Sequence, residues 1–186
     1  HLGWRYDTGT GVKADVREAA AWYRHAAERG GHSMAQNNLG CLYRDGRGVI
    51  QDYKTASTLF RMSAEQGNNH ARTNLGWLYE RGYGVPQDYR QALQLYTQAA
   101  QEYRDFETGQ QHAGHPMAQN NLGCLYRDGK GTKPDAFTAV KWFRKSAEAS
   151  NHHAHHNLGI MFERGLGVKP DIRKALEHYE QALNAG

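Results

Sequence analysis

Asn151-His152-His153-Ala154-His155-His156-Asn157 is the one local run of residue types suited to coordination chemistry. On a helix, His152 and His156 stand one turn apart on a single face, the i, i+4 geometry that suits Zn²⁺ or Ni²⁺. Two imidazoles fall short of the three or four protein ligands such an ion takes, so the run reads as a solvated or partner-facing histidine patch. No metal is expected there. Five acids, Asp15, Asp52, Asp88, Asp135 and Asp171, and the Gly-x-Gly segment that precedes each, are the other candidates for chemistry. Paired carboxylates serve acid–base catalysis and glycine loops cradle phosphate, but a phosphate loop lies between a strand and a helix and these segments do not. No nucleophile elbow or carboxylate dyad stands beside them. No catalytic residue, no enzyme activity and no cofactor are expected.

The acids and glycines recur because the chain is periodic. Leu2-Gly3, Leu39-Gly40, Leu75-Gly76, Leu122-Gly123 and Leu158-Gly159 follow one another at 37, 36, 47 and 36 residues, each with an aromatic residue at the same offset (Tyr6, Tyr43, Tyr79, Tyr126, Phe162). A period in this range marks an array of helical units that bury their apolar faces against one another. The repeats fall at about 1–31, 32–68, 69–115, 116–151 and 152–186, forming one array over residues 1–186.

Each unit reads as two helices. In the second copy, Ala35, Leu39 and Leu42 lie at i, i+4, i+7 on one face of a helix A, and Gly46 can close it in a left-handed conformation. The acid that follows the turn is placed to accept from the free N–H groups at the start of helix B, which makes the five acids N-caps. From each acid, alanine lies at +4 (Ala19, Ala56, Ala92, Ala139, Ala175) and an aromatic at +8 (Tyr23, Phe60, Tyr96, Phe143, Tyr179). Glycine inside helix A costs about 1 kcal/mol relative to alanine, so its recurrence after leucine implies a close backbone crossing. The long third interval places an insertion at 103–115. It is read either as a further turn of helix B followed by a surface loop, or as a binding element.

Composition narrows the partners. The net charge of +4 is dispersed, with cations beside acids in Arg44-Asp45, Glu80-Arg81, Arg127-Asp128 and Glu163-Arg164, so no nucleic-acid partner is expected. No apolar run approaches the roughly 20 residues that span a bilayer, so no membrane insertion is expected. Cys41 and Cys124 occupy equivalent positions two repeats apart, on the order of 20 Å at the usual helix spacing, too far for a disulfide. His1-Leu2-Gly3-Trp4 is the middle of a repeat motif and not a signal peptide, so the chain reads as a truncated or processed piece without its upstream targeting information. The compartment stays open between cytoplasm and periplasm.

The pattern A-x-x-N-L-G-x-x-Y-x-x-G-x-G-V, then Asp, A-x-x-x-[YF] and A-A, resembles the Sel-1-like repeat family, relatives of tetratricopeptide repeats, over essentially the whole chain. Thr132 replaces the usual Val, and Ser63 and Ser146 replace the first Ala of the pair. The resemblance implies an all-α fold, a right-handed superhelical solenoid of antiparallel helix pairs with helix A lining a concave face. It also implies an adaptor that binds a partner protein there or, alternatively, an immunity protein that blocks a secreted bacterial toxin enzyme. By similarity the groove is lined by Met34, Asn37, Asn38, Cys41 and Arg44, then by His70, Thr73, Asn74, Trp77 and Arg81. Later copies add Met117, Asn120, Asn121, Cys124 and Arg127, then His153, His156, Asn157 and Glu163. In tetratricopeptide relatives an Asn before Leu-Gly binds a peptide backbone. Here Asn38, Asn74, Asn121 and Asn157 either do so or brace helix A against the adjacent repeat.

Overall fold

The computed structural model describes residues 1–101, 103–104 and 111–185. The chain divides into two compact units, His1–Asp88 and Tyr89–Gly186. The first holds α1 (Leu2–Thr8), α2 (Val16–Gly30), α3 (Ser33–Asp45), α4 (Tyr53–Glu65) and α5 (Asn69–Arg81). The second holds α6 (Tyr89–Ala100), a ribbon of β1 (Tyr103–Arg104) and β2 (Gln111–His112), then α7 (Pro116–Asp128), α8 (Ala136–Glu148), α9 (His152–Arg164) and α10 (Ile172–Asn184). It is an all-α repeat fold. Among the described residues no helix is long and apolar enough to cross a membrane.

The helix ends follow from unsatisfied backbone groups. Asp15, Asp52, Asp135 and Asp171 each accept from N–H groups in the first turn of α2, α4, α8 and α10. At the other end Gly46 takes φ 67°, and its N–H caps α3 at the Leu42 carbonyl. The turn is then closed by the N–H of the capping acid itself, Asp52 to the Tyr43 carbonyl at 2.9 Å and Asp135 to that of Tyr126 at 2.8 Å. The same residue thus ends one element and starts the next.

The core lies between paired helices, where the small alanines disappear from solvent: Ala19, Ala56 and Ala139 are fully buried. The Leu-Gly glycines have a different role from the one their spacing suggests. What approaches them is an aromatic ring rather than a backbone. A Cβ on Gly40 would lie 2.7 Å from the ring of Phe60, one on Gly3 2.6 Å from Tyr23, and one on Gly123 2.6 Å from Phe143; Gly159 meets Tyr179 likewise. The ring is the +8 aromatic of helix B in the same repeat, lying flat where a side chain would otherwise stand. Backbone meets backbone at the second glycine of the turn. Gly48 has φ 69°, and a Cβ there would lie 2.7 Å from the Val16 carbonyl at the start of α2, one repeat earlier. Gly131 rests in the same way on Tyr89, and Gly167 on Ala136.

Two replacements that look neutral in the sequence are structural. Ser63 and Ser146 are fully buried, and their hydroxyls donate to the carbonyls of Ser33 at 2.6 Å and Pro116 at 2.7 Å, tying the end of helix B to the start of helix A. The insertion is not a further turn of helix. α6 stops at Ala100, and Tyr103 and Arg104 pair antiparallel with His112 and Gln111. The returning chain is held by the His115 N–H on the Ala99 carbonyl at 2.8 Å and by Gln119 Nε2 on the Ala100 carbonyl at 3.2 Å. Position 102 and positions 105–110 of the insertion lie outside the described residues.

The ring seat sets the sign of a glycine substitution. Alanine normally gains about 1 kcal/mol in a helix, but an extra Cβ against a packed ring costs about 1–3 kcal/mol. Gly40→Ala is therefore expected to lower the urea unfolding midpoint, and a raised midpoint would contradict the seat.

Candidate functional site

The same hydrogen-bond network occurs once in each unit on helix A. In the first, Asn74 of α5 reaches back to α3. Its Nδ2 donates to Asn37 Oδ1 at 3.0 Å and to Cys41 Sγ at 3.5 Å, and its Oδ1 accepts from Arg44 Nη1 at 2.9 Å. Arg44 in turn donates through Nε and Nη2 to the two Asp45 oxygens at 2.7 and 2.9 Å. In the second unit, Asn157 of α9 donates to Asn120 at 2.9 Å and to Cys124 Sγ at 3.7 Å and accepts from Arg127 at 2.9 Å, with Asp128 2.7 Å from the guanidinium. The repetition was visible in the chain, since residues 34–46 and 117–129 are identical.

The electrostatics follow the geometry. The Asp45 carboxylate raises the Arg44 pKa above its ordinary value against the opposing effect of burial, and Asp128 does the same for Arg127. Burial raises the Cys41 thiol above its usual range, so Cys41 is held as the neutral thiol. Both cysteines retain their thiols. Such a site is poised to brace two helices, not to attack a substrate.

The predicted groove residues separate into three groups. Asn37, Thr73 and Asn120 are buried, so they present no surface to a partner; helix A turns them toward its neighbours. Asn74 and Asn157 are half-buried with their amides engaged as described, while Asn38 and Asn121 accept from the Asn37 and Asn120 amides at 3.2 and 3.4 Å. Met34, His70, Arg81, Met117, His153, His156 and Glu163 are exposed, and Glu163 accepts from the Tyr179 hydroxyl at 2.7 Å. Trp77 is half-buried, with the Arg44 guanidinium 6.0 Å from its ring centroid. Its indole also meets Tyr83 edge-on at 5.4 Å, and Tyr83 stacks on Tyr53 at 4.8 Å. Tyr53 and Tyr83 escape the sequence reading because they sit beside the turn. Their signal is slight, since the other copies hold Val16, Tyr89, Ala136 and Ile172 in the place of Tyr53 and Thr10, Arg47, Lys130 and Leu166 in that of Tyr83.

The histidine run forms the first turns of α9 and faces several ways. Asn151 is its N-cap, accepting from the Ala154 N–H. His152 lies against His153, with ring centroids 3.9 Å apart, and His156 lies near Tyr179. His155 turns to α10, where its Nδ1 is 3.2 Å from Nδ1 of His178, whose ring stacks on Phe162. Among the described residues no three His, Cys, Asp or Glu side chains converge to hold a metal ion. A cavity of about 720 Å³ in the first unit is lined mainly by apolar side chains, Leu2, Trp4, Trp22 and Met34, together with His1, His25 and His32.

The model of the Sel1 repeat matches residues 1–31, 33–68, 69–102, 116–151 and 152–186. A crystal structure of a Sel1 repeat protein from Oxalobacter formigenes is 32% identical, with a TM-score of 0.86, covering 100% of this chain and 69% of that one. A protective antigen of uropathogenic Escherichia coli that displays an SLR fold is 34% identical, with a TM-score of 0.81; the likeness covers 100% of this chain but spans only 37% of that one. An immunity protein from Pseudomonas aeruginosa shares the fold at 22% identity and a TM-score of 0.56, over 90% of this chain and 58% of its own. No curated protein matches the chain.

Two expectations follow from the geometry. Asn74→Ala removes the acceptor of Arg44 and the donor to Asn37, and loss of such partly buried bonds costs about 1–3 kcal/mol. Urea denaturation of the variant should show that loss as a lower midpoint; an unchanged one would mean that the network does not brace α3 against α5. Burial first, and then the charge of His155, depress the His178 pKa, with Arg144 of α8 acting the same way and Gln181 and Glu177 of α10 opposing. The unfolded chain then binds the proton more readily than the folded one. Stability is complete above the unfolded value of about 6.5 and falls as pH drops from there through the depressed folded value. Thermal melts between pH 8 and 5 should show this fall, and His178→Gln should flatten it.

Proposed function

The chain belongs to the Sel1 repeat family, and on that premise we propose that it acts as an adaptor whose helix-A face receives a segment of a partner protein. Sel1 repeats are in general protein-interaction modules and non-catalytic scaffolds. The observation that carries the proposal is the cluster of Trp77, Arg44, Tyr83 and Tyr53. These are the residue types on which binding energy concentrates, and here their conformations are set before any partner arrives. Asp45 and Asn74 hold the guanidinium, the guanidinium lies near the indole, and the indole rests on the tyrosine pair. Little rotamer entropy remains to be lost on association. Met34 and Arg81 of the same unit are also exposed. Asn74 supports this surface rather than reading a peptide, because its amide is occupied by Asn37, Cys41 and Arg44.

A second reading makes the partner a folded toxin enzyme that the chain blocks. It is prompted by the immunity protein of Pseudomonas aeruginosa, whose likeness extends to the fold alone. The two differ in what is recognised: an adaptor retains affinity for a short peptide from its partner, whereas an inhibitor binds only the folded enzyme and abolishes its activity.

Truncating a central Trp anchor costs about 2 kcal/mol or more of binding, which exceeds tenfold in affinity. Trp77→Ala should therefore weaken binding of a partner identified by affinity capture more than tenfold, measured by calorimetry on protein whose circular dichroism is unchanged. Equal affinity of the variant and the parent would remove this cluster from the interface.

A further inference from the structure

Each unit has a cleft at a repeat junction, where the turn after helix A faces helix B of the preceding repeat. In the first unit this cleft has a volume of about 400 Å³ and is lined by Arg24, Tyr43, Val49, Ile50 and Asp52. Its cation is satisfied internally: Arg24 Nη2 donates to the Tyr43 hydroxyl at 3.0 Å. The next junction repeats the bond, with Arg61 Nη2 on the Tyr79 hydroxyl at 3.1 Å. Both Asp52 oxygens are occupied as well, one by the N–H groups of Lys54 and Thr55 and the other by the Thr55 hydroxyl.

The equivalent cleft in the second unit has about 450 Å³ and is built from Arg144, Phe162, Val168, Lys169, Pro170, Asp171 and Lys174. Four positions differ; Pro170 takes the place of Gln51, and the other three changes either add a cation or release one. Phe162 stands where Tyr43 and Tyr79 supply a hydroxyl, so Arg144 has no hydrogen-bond acceptor among the described residues and stays exposed. Lys169 takes the place of Ile50. Lys174 takes the place of Thr55 and stands 5.6 Å from the Phe162 ring centroid. The one carboxylate, Asp171, caps α10 through the Lys174 N–H at 3.1 Å and lies 3.8 Å from Lys174 Nζ. Three cations from three elements therefore face a cleft floored by Phe162, Val168 and Pro170.

We infer that this cleft binds an acidic segment of a partner protein, with a side-chain carboxylate on Arg144 and a second within reach of Lys169 and Lys174. A guanidinium presents a planar fork to a carboxylate, and the apolar floor takes the hydrocarbon stem of a glutamate. Phosphate fits less well. Helix N-termini hold phosphate through free N–H groups, and here Asp171 already draws on that first turn while adding a negative wall that repels a dianion. The site belongs to the second unit, on the helix-B side of its junction, and does not depend on the Trp77 cluster being an interface.

The test is a titration of the full chain, in buffer of low ionic strength, with an acetylated and amidated triglutamate peptide, and in parallel with inorganic phosphate, followed by NMR shifts of Arg and Lys side chains. Saturable peptide binding is expected, with the largest shifts at Arg144, Lys169 and Lys174. Arg144→Gln should weaken it about tenfold, the loss of one charge-assisted pair. Phe162→Tyr is the decisive variant. It restores the hydroxyl found at Tyr6, Tyr43, Tyr79 and Tyr126, gives Arg144 an internal acceptor and leaves net charge unchanged. It should keep the circular dichroism and unfolding midpoint of the parent while weakening peptide binding severalfold. Unchanged affinity in a folded Phe162→Tyr variant, shifts centred on Arg24 instead, or binding of phosphate without peptide would each overturn the inference.

Discussion

A missing methyl group decides how close the two helices of a repeat can come. At Gly3, Gly40, Gly123 and Gly159 the glycine after the leucine leaves room for the ring of the helix-B aromatic, and Phe60 and Phe143 are fully buried against Gly40 and Gly123. At that separation the alanines on the same face of helix B also close up without voids, which dense packing requires. The second glycine of the turn does the same between repeats, resting backbone on backbone at Gly48 and Val16. Two absent side chains per repeat therefore set both spacings on which the rest of each unit is built.

The polar network at the junction depends on those spacings. An Asn side chain is short, so Asn74 can reach Asn37, Cys41 and Arg44 only when α3 and α5 are held at one distance. Once they are, the amide is used up, and its function is to hold Arg44 and thus the surface around Trp77 in place. The proposed interface accordingly rests on the aromatic cluster that Asn74 supports and not on its amide. A comparable shift occurs in the second unit, where Phe162 lacks the hydroxyl that occupies the arginine elsewhere. A guanidinium bonded to a tyrosine hydroxyl at two junctions of the first unit faces solvent beside Phe162.

Much of the architecture was legible because it is local and repeated. Periodicity marked the helix pairs, the acids marked helix starts, and the family pattern identified the fold. The reading failed where a contact partner is distant in the chain. Glycine recurrence signalled close approach, but whether ring or backbone approaches depends on a residue about twenty positions away. Ser63 and Ser146 looked like tolerated replacements of alanine, yet their hydroxyls bond a carbonyl thirty residues earlier. The insertion was read as a further turn of helix B with a surface loop or as a binding element, and its short ribbon depends on backbone pairing that residue types barely encode.

The sequence by itself thus determined the all-α repeat fold and the acids that cap α2, α4, α8 and α10, since these rest on periodicity and on backbone groups satisfied within a few residues. Only the tertiary structure decided which polar side chains are spent and which remain available. Asn37 and Trp77 belong to the same predicted groove, and nothing local separates them. One is buried under a hydrogen bond from the next repeat and the other lies half-open beside a cation, because a residue's exposure is set by whatever packs across from it.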